Sequence, residues 1–193
     1  MTRRRTSTGD APLFAWGDAL RTARTRRRRL IRAGAAIVAG AGALALTISF
    51  PPAPRLVWNA SASAPIGLYA VSPGEVARRG DMVIARLAEP WRALAARRRY
   101  LPANVPLVKR AIAVAGDEVC ALGRHIFVDG RWLADRKSAD ARGRPMPMWR
   151  GCVRLRGRQL FLLMDHPDSF DGRYFGVTQG SDVVGKAVLL WRR

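Results

Sequence analysis

The sequence predicts a mainly β domain carried behind a single apolar N-terminal helix, and three observations lead there. Ala33 to Phe50 runs eighteen residues without a charge. From Arg55 onward the chain consists of short apolar runs separated by turn residues, which is the pattern of strands. Between them stands Pro51-Pro52-Ala53-Pro54, which can extend neither a helix nor a sheet ladder. The 193 residues therefore divide into a basic arm over 1–32, a membrane-spanning segment over 33–50 and one folded domain over 51–193.

At ~1.5 Å of rise per residue the apolar segment covers about 27 Å, close to the ~30 Å hydrocarbon core of a bilayer. Its alanines and Gly34, Gly40 and Gly42 keep it only modestly hydrophobic, so a buried helix is one alternative. A cleaved export signal is another, but prolines occupy the place where a small-x-small cleavage site belongs. The run Arg26-Arg27-Arg28-Arg29 holds the arm in the cytoplasm by the positive-inside rule and sends residues 51–193 to the outer side.

Lys and Arg number 34 against 14 Asp and Glu, a net charge of +20. Residues 1–50 hold ten of the basic and two of the acidic residues, which leaves 24 against 12 in the remainder. Such an excess fits an anionic membrane surface, nucleic acid, or simply Arg-rich coding. No RNP, zinc-finger or basic-zipper pattern accompanies it, so nucleic acid is not an expected partner.

Strands are expected at Arg55–Trp58, Ile66–Val71, Met82–Leu87, Leu107–Ala115, His125–Val128, Arg131–Leu133, Gln159–Met164 and Val183–Leu190. Asp129-Gly130 joins two of them by a tight hairpin, because both residues tolerate positive φ. Trp91–Arg99, behind Pro90, is the one helix expected in this half, and Lys137–Arg150 reads as an irregular loop across one end. The only cysteines, Cys120 and Cys152, follow strand-like segments on the outer side of the membrane. There a pair closes a disulfide, contributing roughly 3–4 kcal/mol for a loop of this length, the alternative being two separate buried thiols. With no adjacent ligand pair and only His125 and His166 to draw on, neither a metal nor another cofactor is expected.

The chemistry concentrates in Asn59–Tyr69, where Ser61 and Ser63 precede the backbone-fixing Pro65 and Gly67. A serine hydroxyl is a weak nucleophile and needs a base. His166, in His-Pro-Asp, reads as a loop residue. Lysine is scarce here (Lys109, Lys137, Lys186), and Lys109 lies in an apolar strand where a charged ammonium is costly to bury. Desolvation lowers a lysine's pKa from ~10.4 toward 7–8, where its amine can take a proton. The strand taken alone favours the opposite reading, Lys109 pointing outward beside Arg110.

Three segments resemble the bacterial signal peptidases, a family of membrane-bound Ser/Lys proteases. Ser61-Ala62-Ser63-Ala64-Pro65 is similar to the family's nucleophile segment, and Val108-Lys109-Arg110-Ala111-Ile112 leading to Ala115-Gly116-Asp117 is similar to its general-base segment. The third, Asp168-Ser169-Phe170-Asp171-Gly172-Arg173-Tyr174-Phe175-Gly176, is similar to its closing segment. Only Ala64 separates Ser63 from Pro65, and Gly67-Leu68-Tyr69 follows, which resembles the conjugative-transfer, TraF-type branch rather than the general signal peptidases. The Cys pair and the short body fit the same branch.

The resemblance implies a signal-peptidase-like β-sheet or barrel domain in the periplasm, held in the bacterial inner membrane by one pass. It implies Ser63 as nucleophile, Lys109 as general base, and the Ser63 N–H with the Ser61 hydroxyl as oxyanion hole. Ser169 would orient the Lys109 amine, and Asp171 would pair with Arg173 to brace the site. The implied partners are the bilayer and a membrane-anchored precursor, a pilin above all, cleaved and in some systems closed into a ring. The alternatives are a general signal peptidase and a non-catalytic component of a conjugation or secretion apparatus. Two departures stand out: Gly172, where the family more often has serine, and Ala64, where a larger apolar residue is common.

Overall fold

The computed structural model describes residues 11–50 and 52–193, so that the first ten residues of the expected arm lie outside the described residues. The chain divides into two units after Pro52. The first contains the helix α1 (Ala11–Ser49). It begins well before the apolar stretch, because the intervening Ala, Arg and Leu are strong helix formers, and it stops short of the prolines. Over Trp16–Ser49 it is long and apolar enough to cross a membrane.

The second unit, Ala53–Arg193, is mainly β, as the sequence predicts. Its strands are β1 (Leu56–Asn59), β2 (Gly67–Pro73), β3 (Met82–Ala85), β4 (Leu107–Ala113), β5 (Glu118–Leu122), β6 (His125–Val128), β7 (Arg131–Asp135), β8 (Gly151–Arg154), β9 (Phe161–Leu163) and β10 (Val183–Arg192), with short helices α2 (Trp91–Arg97) and α3 (Gly172–Phe175). All pairings are antiparallel. They build a six-stranded sheet in the order β1-β2-β10-β3-β4-β9 and a four-stranded sheet in the order β7-β6-β5-β8. Asp129 and Gly130 take φ of 49° and 75°, the two positive values that a tight β6–β7 turn requires.

A cluster of Ala113, Val119, Ala121, Ile126, Val128, Leu155, Phe161 and Leu163 draws on both sheets and joins them. A second cluster, with Ala64, Tyr69, Ile84, Val108 and Met164, lies under the serine-bearing loop. The small side chain of Ala64 is thereby accounted for, since it is buried in a filled core. β4 is the central positioning strand. Its Leu107–Arg110 segment pairs with β3, whereas pairing with β9 begins only at Arg110, leaving Leu107–Lys109 without a strand on that side.

β5 and β8 were not among the expected strands, and the cysteines lie within them rather than after strand-like segments. Cys120 and Cys152 stand directly opposite in the β5–β8 register and form a disulfide. α3 was also unexpected, being a single turn whose start is marked only by the Asp171 side chain accepting from the Arg173 N–H.

A buried lysine between two serines

The connection from β1 to β2 carries both serines, and three neighbours hold it. Asn59, the last residue of β1, is buried, and the two N–H groups of its Nδ2 serve the carbonyls of Ser61, Ala64 and Pro65 at 2.9, 3.1 and 3.1 Å, one of them shared between two oxygens. Its Oδ1 accepts the Ser61 N–H at 3.1 Å. The Tyr69 hydroxyl donates to the Pro65 carbonyl at 2.9 Å. On the far side Gly67, with φ of 155°, lies against β10 so closely that a Cβ would stand 2.0 Å from the Trp191 carbonyl oxygen.

Lys109 points inward, not outward: it is 3% exposed, whereas its neighbour Arg110 is half-buried and pairs with Asp165 at 3.2 Å. Its Nζ stands 2.8 Å from Ser63 Oγ and 2.7 Å from Ser169 Oγ. Ser61 Oγ lies 3.0 Å from Ser63 Oγ and 3.4 Å from the Ser63 N. Burial pushes the Lys109 ammonium down from 10.5 to about 8, while the Asp171 carboxylate pulls it back up and the Arg173 guanidinium pushes it further down. The result is an amine that is neutral in an appreciable fraction of molecules at neutral pH.

The closing segment packs behind this lysine. Asp171 and Arg173 are buried and paired, with Arg173 Nε and an Nη on the two carboxylate oxygens at 2.9 and 2.8 Å. Asp171 also accepts the Met164 N–H at 3.1 Å, and Arg173 donates to the carbonyls of Met164 and His166 at 3.0 and 2.7 Å. β9 is thus tied to the loop carrying Ser169. Gly172 has a physical reason here: a Cβ would lie 2.7 Å from the Leu162 carbonyl oxygen and from the Phe161 ring. Gly172→Ser is therefore expected to cost about 1–3 kcal/mol, read as a lowered thermal unfolding midpoint.

These residues open on a cleft of about 660 Å³ lined by Ser61, Ser63, Lys109 and Ser169 together with Trp58, Tyr100, Val108, Phe170 and Tyr174. Across it Lys137, from the irregular 137–150 loop, pairs with Asp168 at 2.5 Å. All six residues singled out in the three segments, Ser61, Ser63, Lys109, Ser169, Asp171 and Arg173, thus meet in one place. The disulfide is not among the residues lining the cleft. Glu118, Cys120 and Cys152 bring three potential metal donors together, but both sulfurs are committed to the disulfide.

Sequence reading passed over three side chains. The Asn59 amide could have been suspected from a carboxamide standing just before a Ser/Ala/Pro turn. Trp149, whose Nε1 donates to the Gly172 carbonyl at 2.9 Å, and the fully buried Arg136, which donates to the Gly123 carbonyl at 2.7 Å, leave no such signal.

A mainly β domain with a desolvated lysine between two serine hydroxyls defines a class, and the chain belongs to it: the family model described as signal peptidase, peptidase S26, matches residues 27–192. Within that family it is similar to a plasmid transfer protein TraF of Escherichia coli, 29% identical over 174 residues that cover 84% of this chain and 90% of the relative. A second Escherichia coli protein of that description is 30% identical, covering 82% and 96%. A probable conjugal transfer protein TraF of Sinorhizobium fredii is 30% identical over 179 residues, covering 86% and 92%.

Proposed function

We propose that this chain is a membrane-anchored serine endopeptidase of conjugative transfer that processes an exported precursor, most specifically a pilin, through an acyl-enzyme on Ser63. The observation that carries the reading is Lys109, buried and within hydrogen-bond reach of both Ser63 and Ser169. In the neutral amine one N–H goes to Ser169 and the lone pair faces the Ser63 hydroxyl. Lys109 takes the Ser63 proton as Ser63 Oγ attacks the peptide carbonyl, and the oxyanion is held by the Ser61 hydroxyl and by the Ser63 N–H, which turns to it from the long 3.4 Å bond it makes to Ser61 Oγ in the free site. The lysine then passes its proton to the leaving amine. Water resolves the ester to a carboxylate, or the amine of another chain end resolves it to a new peptide bond.

The unpaired Leu107–Lys109 edge of β4 gives an extended substrate a backbone to pair with beside the nucleophile. The apolar helix supports a single-pass anchor, and the Arg run N-terminal to it supports a cytoplasmic N-terminus with the domain in the periplasm. The names of the relatives support conjugation as the setting.

The test is the mass of a co-expressed pilin precursor in cells carrying the wild-type chain or Ser63→Ala. The expected result is loss of a terminal segment with the wild type only, with processing by the variant reduced on the order of 10³-fold or more. Product lighter by one further water marks ring closure. Equal processing in both strains overturns the assignment of Ser63.

A further inference from the structure

The β1–β2 connection has to present two groups at once, the Ser63 hydroxyl and the hydroxyl of Ser61 beside the Ser63 N–H. Its own backbone gives it little to do this with. Within residues 60–66 the one backbone bond that closes on itself runs from the Ala64 N–H to the Ser61 carbonyl at a long 3.4 Å. The Asn59 side chain supplies the rest. It grips Ser61 at both its N–H and its carbonyl, and it grips Ala64 and Pro65 on the other side of Ser63.

The chemistry of these partners admits one side chain. Three carbonyl oxygens accept and one N–H donates, so the group that meets them must carry donors on one end and an acceptor on the other, within a single short plane. Asparagine alone matches. Aspartate has the shape but turns an oxygen toward the three carbonyls, and glutamine adds a methylene in a position that is 7% exposed.

On the reading of the site as a serine peptidase, we infer that Asn59 is a positioning residue of the reaction: its carboxamide fixes the nucleophile loop so that Ser61 and Ser63 act on the same substrate carbonyl. The Ser63 hydroxyl itself meets Lys109 and the Ser61 hydroxyl, and its backbone is held through the residues on either side of it. Release of Asn59 frees the Ser61 hydroxyl from its place 3.4 Å from the Ser63 N, whereas the Lys109 contacts to Ser63 and Ser169 involve no atom of Asn59. What is lost is stabilisation of the oxyanion. Proton abstraction by Lys109 and substrate binding are retained.

The experiment compares the full-length wild type with Asn59→Asp, Asn59→Ala and Ser63→Ala in detergent micelles or vesicles. It measures kcat and KM on a peptide spanning the processing site, the pH profile of kcat/KM, and thermal unfolding. For both Asn59 variants kcat is expected to fall about 100-fold, the scale of losing one oxyanion donor. KM is expected to stay within about 2-fold, with the Asn59→Ala profile keeping the wild-type acid limb. Wild-type kcat in Asn59→Ala overturns the inference, and so does a KM that rises in parallel with the fall in kcat. Failure of both variants to fold also overturns it, since the residue is then structural. Full activity in Ser63→Ala is a different outcome that removes the peptidase reading itself.

Discussion

Lys109→Met is expected to abolish peptidase activity, by 10³-fold or more in kcat/KM, and at the same time to make the protein more stable at neutral pH. Both effects come from one fact, that the lysine is buried where an ammonium is poorly solvated. At ~1.36 kcal/mol per pH unit, lowering it from 10.5 to about 8 costs folding on the order of 3 kcal/mol. Between those values the unfolded chain binds a proton that the folded chain does not, so wild-type stability climbs with pH across that window. Below about pH 8 the full cost stands; above about pH 10.5 it is gone. Methionine fills a similar volume and carries no such cost, although the buried Ser169 hydroxyl loses its partner, which returns about 1 kcal/mol. A net gain of about 2 kcal/mol at pH 7, fading to nothing or a small loss by about pH 10.5, is the expected result of urea unfolding at several pH values. The wild-type kcat/KM should fall away on the acid side with a midpoint near 8, because the reaction needs the neutral amine. A wild-type profile flat from pH 6 to 9, or a methionine variant less stable than wild type at pH 7, counts against Lys109 as the base.

Asp171→Asn is expected to destabilise the domain by about 3–5 kcal/mol, the scale seen when one partner of a buried ion pair is removed. Asp171 is fully buried and holds Arg173 through both carboxylate oxygens, and Arg173 is itself only 3% exposed. The guanidinium would stay buried with carbonyls alone for company. The change has a second reading in the pH profile. Asp171 favours the charged form of Lys109, so its neutralisation lowers the lysine further, and the acid limb of kcat/KM in whatever folded enzyme remains should move below that of the wild type. Calorimetry and the pH profile check the two parts separately.

Eight of the ten strands were legible in the sequence as short apolar runs between turn residues, whereas the six site residues were singled out through three segments that resemble a known family. Apolar alternation marks β2, β4 and β10, Asp129-Gly130 marks a turn, and Pro65 and Gly67 frame the serines. The direction in which Lys109 points was not legible. It depends on which face of β4 is covered by the loops carrying Ser63 and Ser169, both distant from Lys109 in sequence. β5 and β8 were missed for a related reason: they pair with each other across a disulfide between residues 32 apart, a contact with no local signal. Gly172 looked like a defect in the sequence and proved to be a fit, because the constraint on it is the backbone of Leu162.

That covalent bond has a bearing on how the enzyme survives its own surroundings. The disulfide closes a ring from Cys120 to Cys152 that contains β6, β7 and the whole of the irregular 137–150 loop, and with it Lys137, Ala139, Asp140 and Met146 of the cleft wall. This loop has little regular structure and carries the exposed Arg142 and Arg150, which makes it a place where a protease can cut. A cut there would ordinarily split the chain into two fragments, one with Ser63 and Lys109 and the other with Ser169. With the ring closed, a nicked molecule remains a single covalent body, held together across two paired strands, and only a reductant separates its halves.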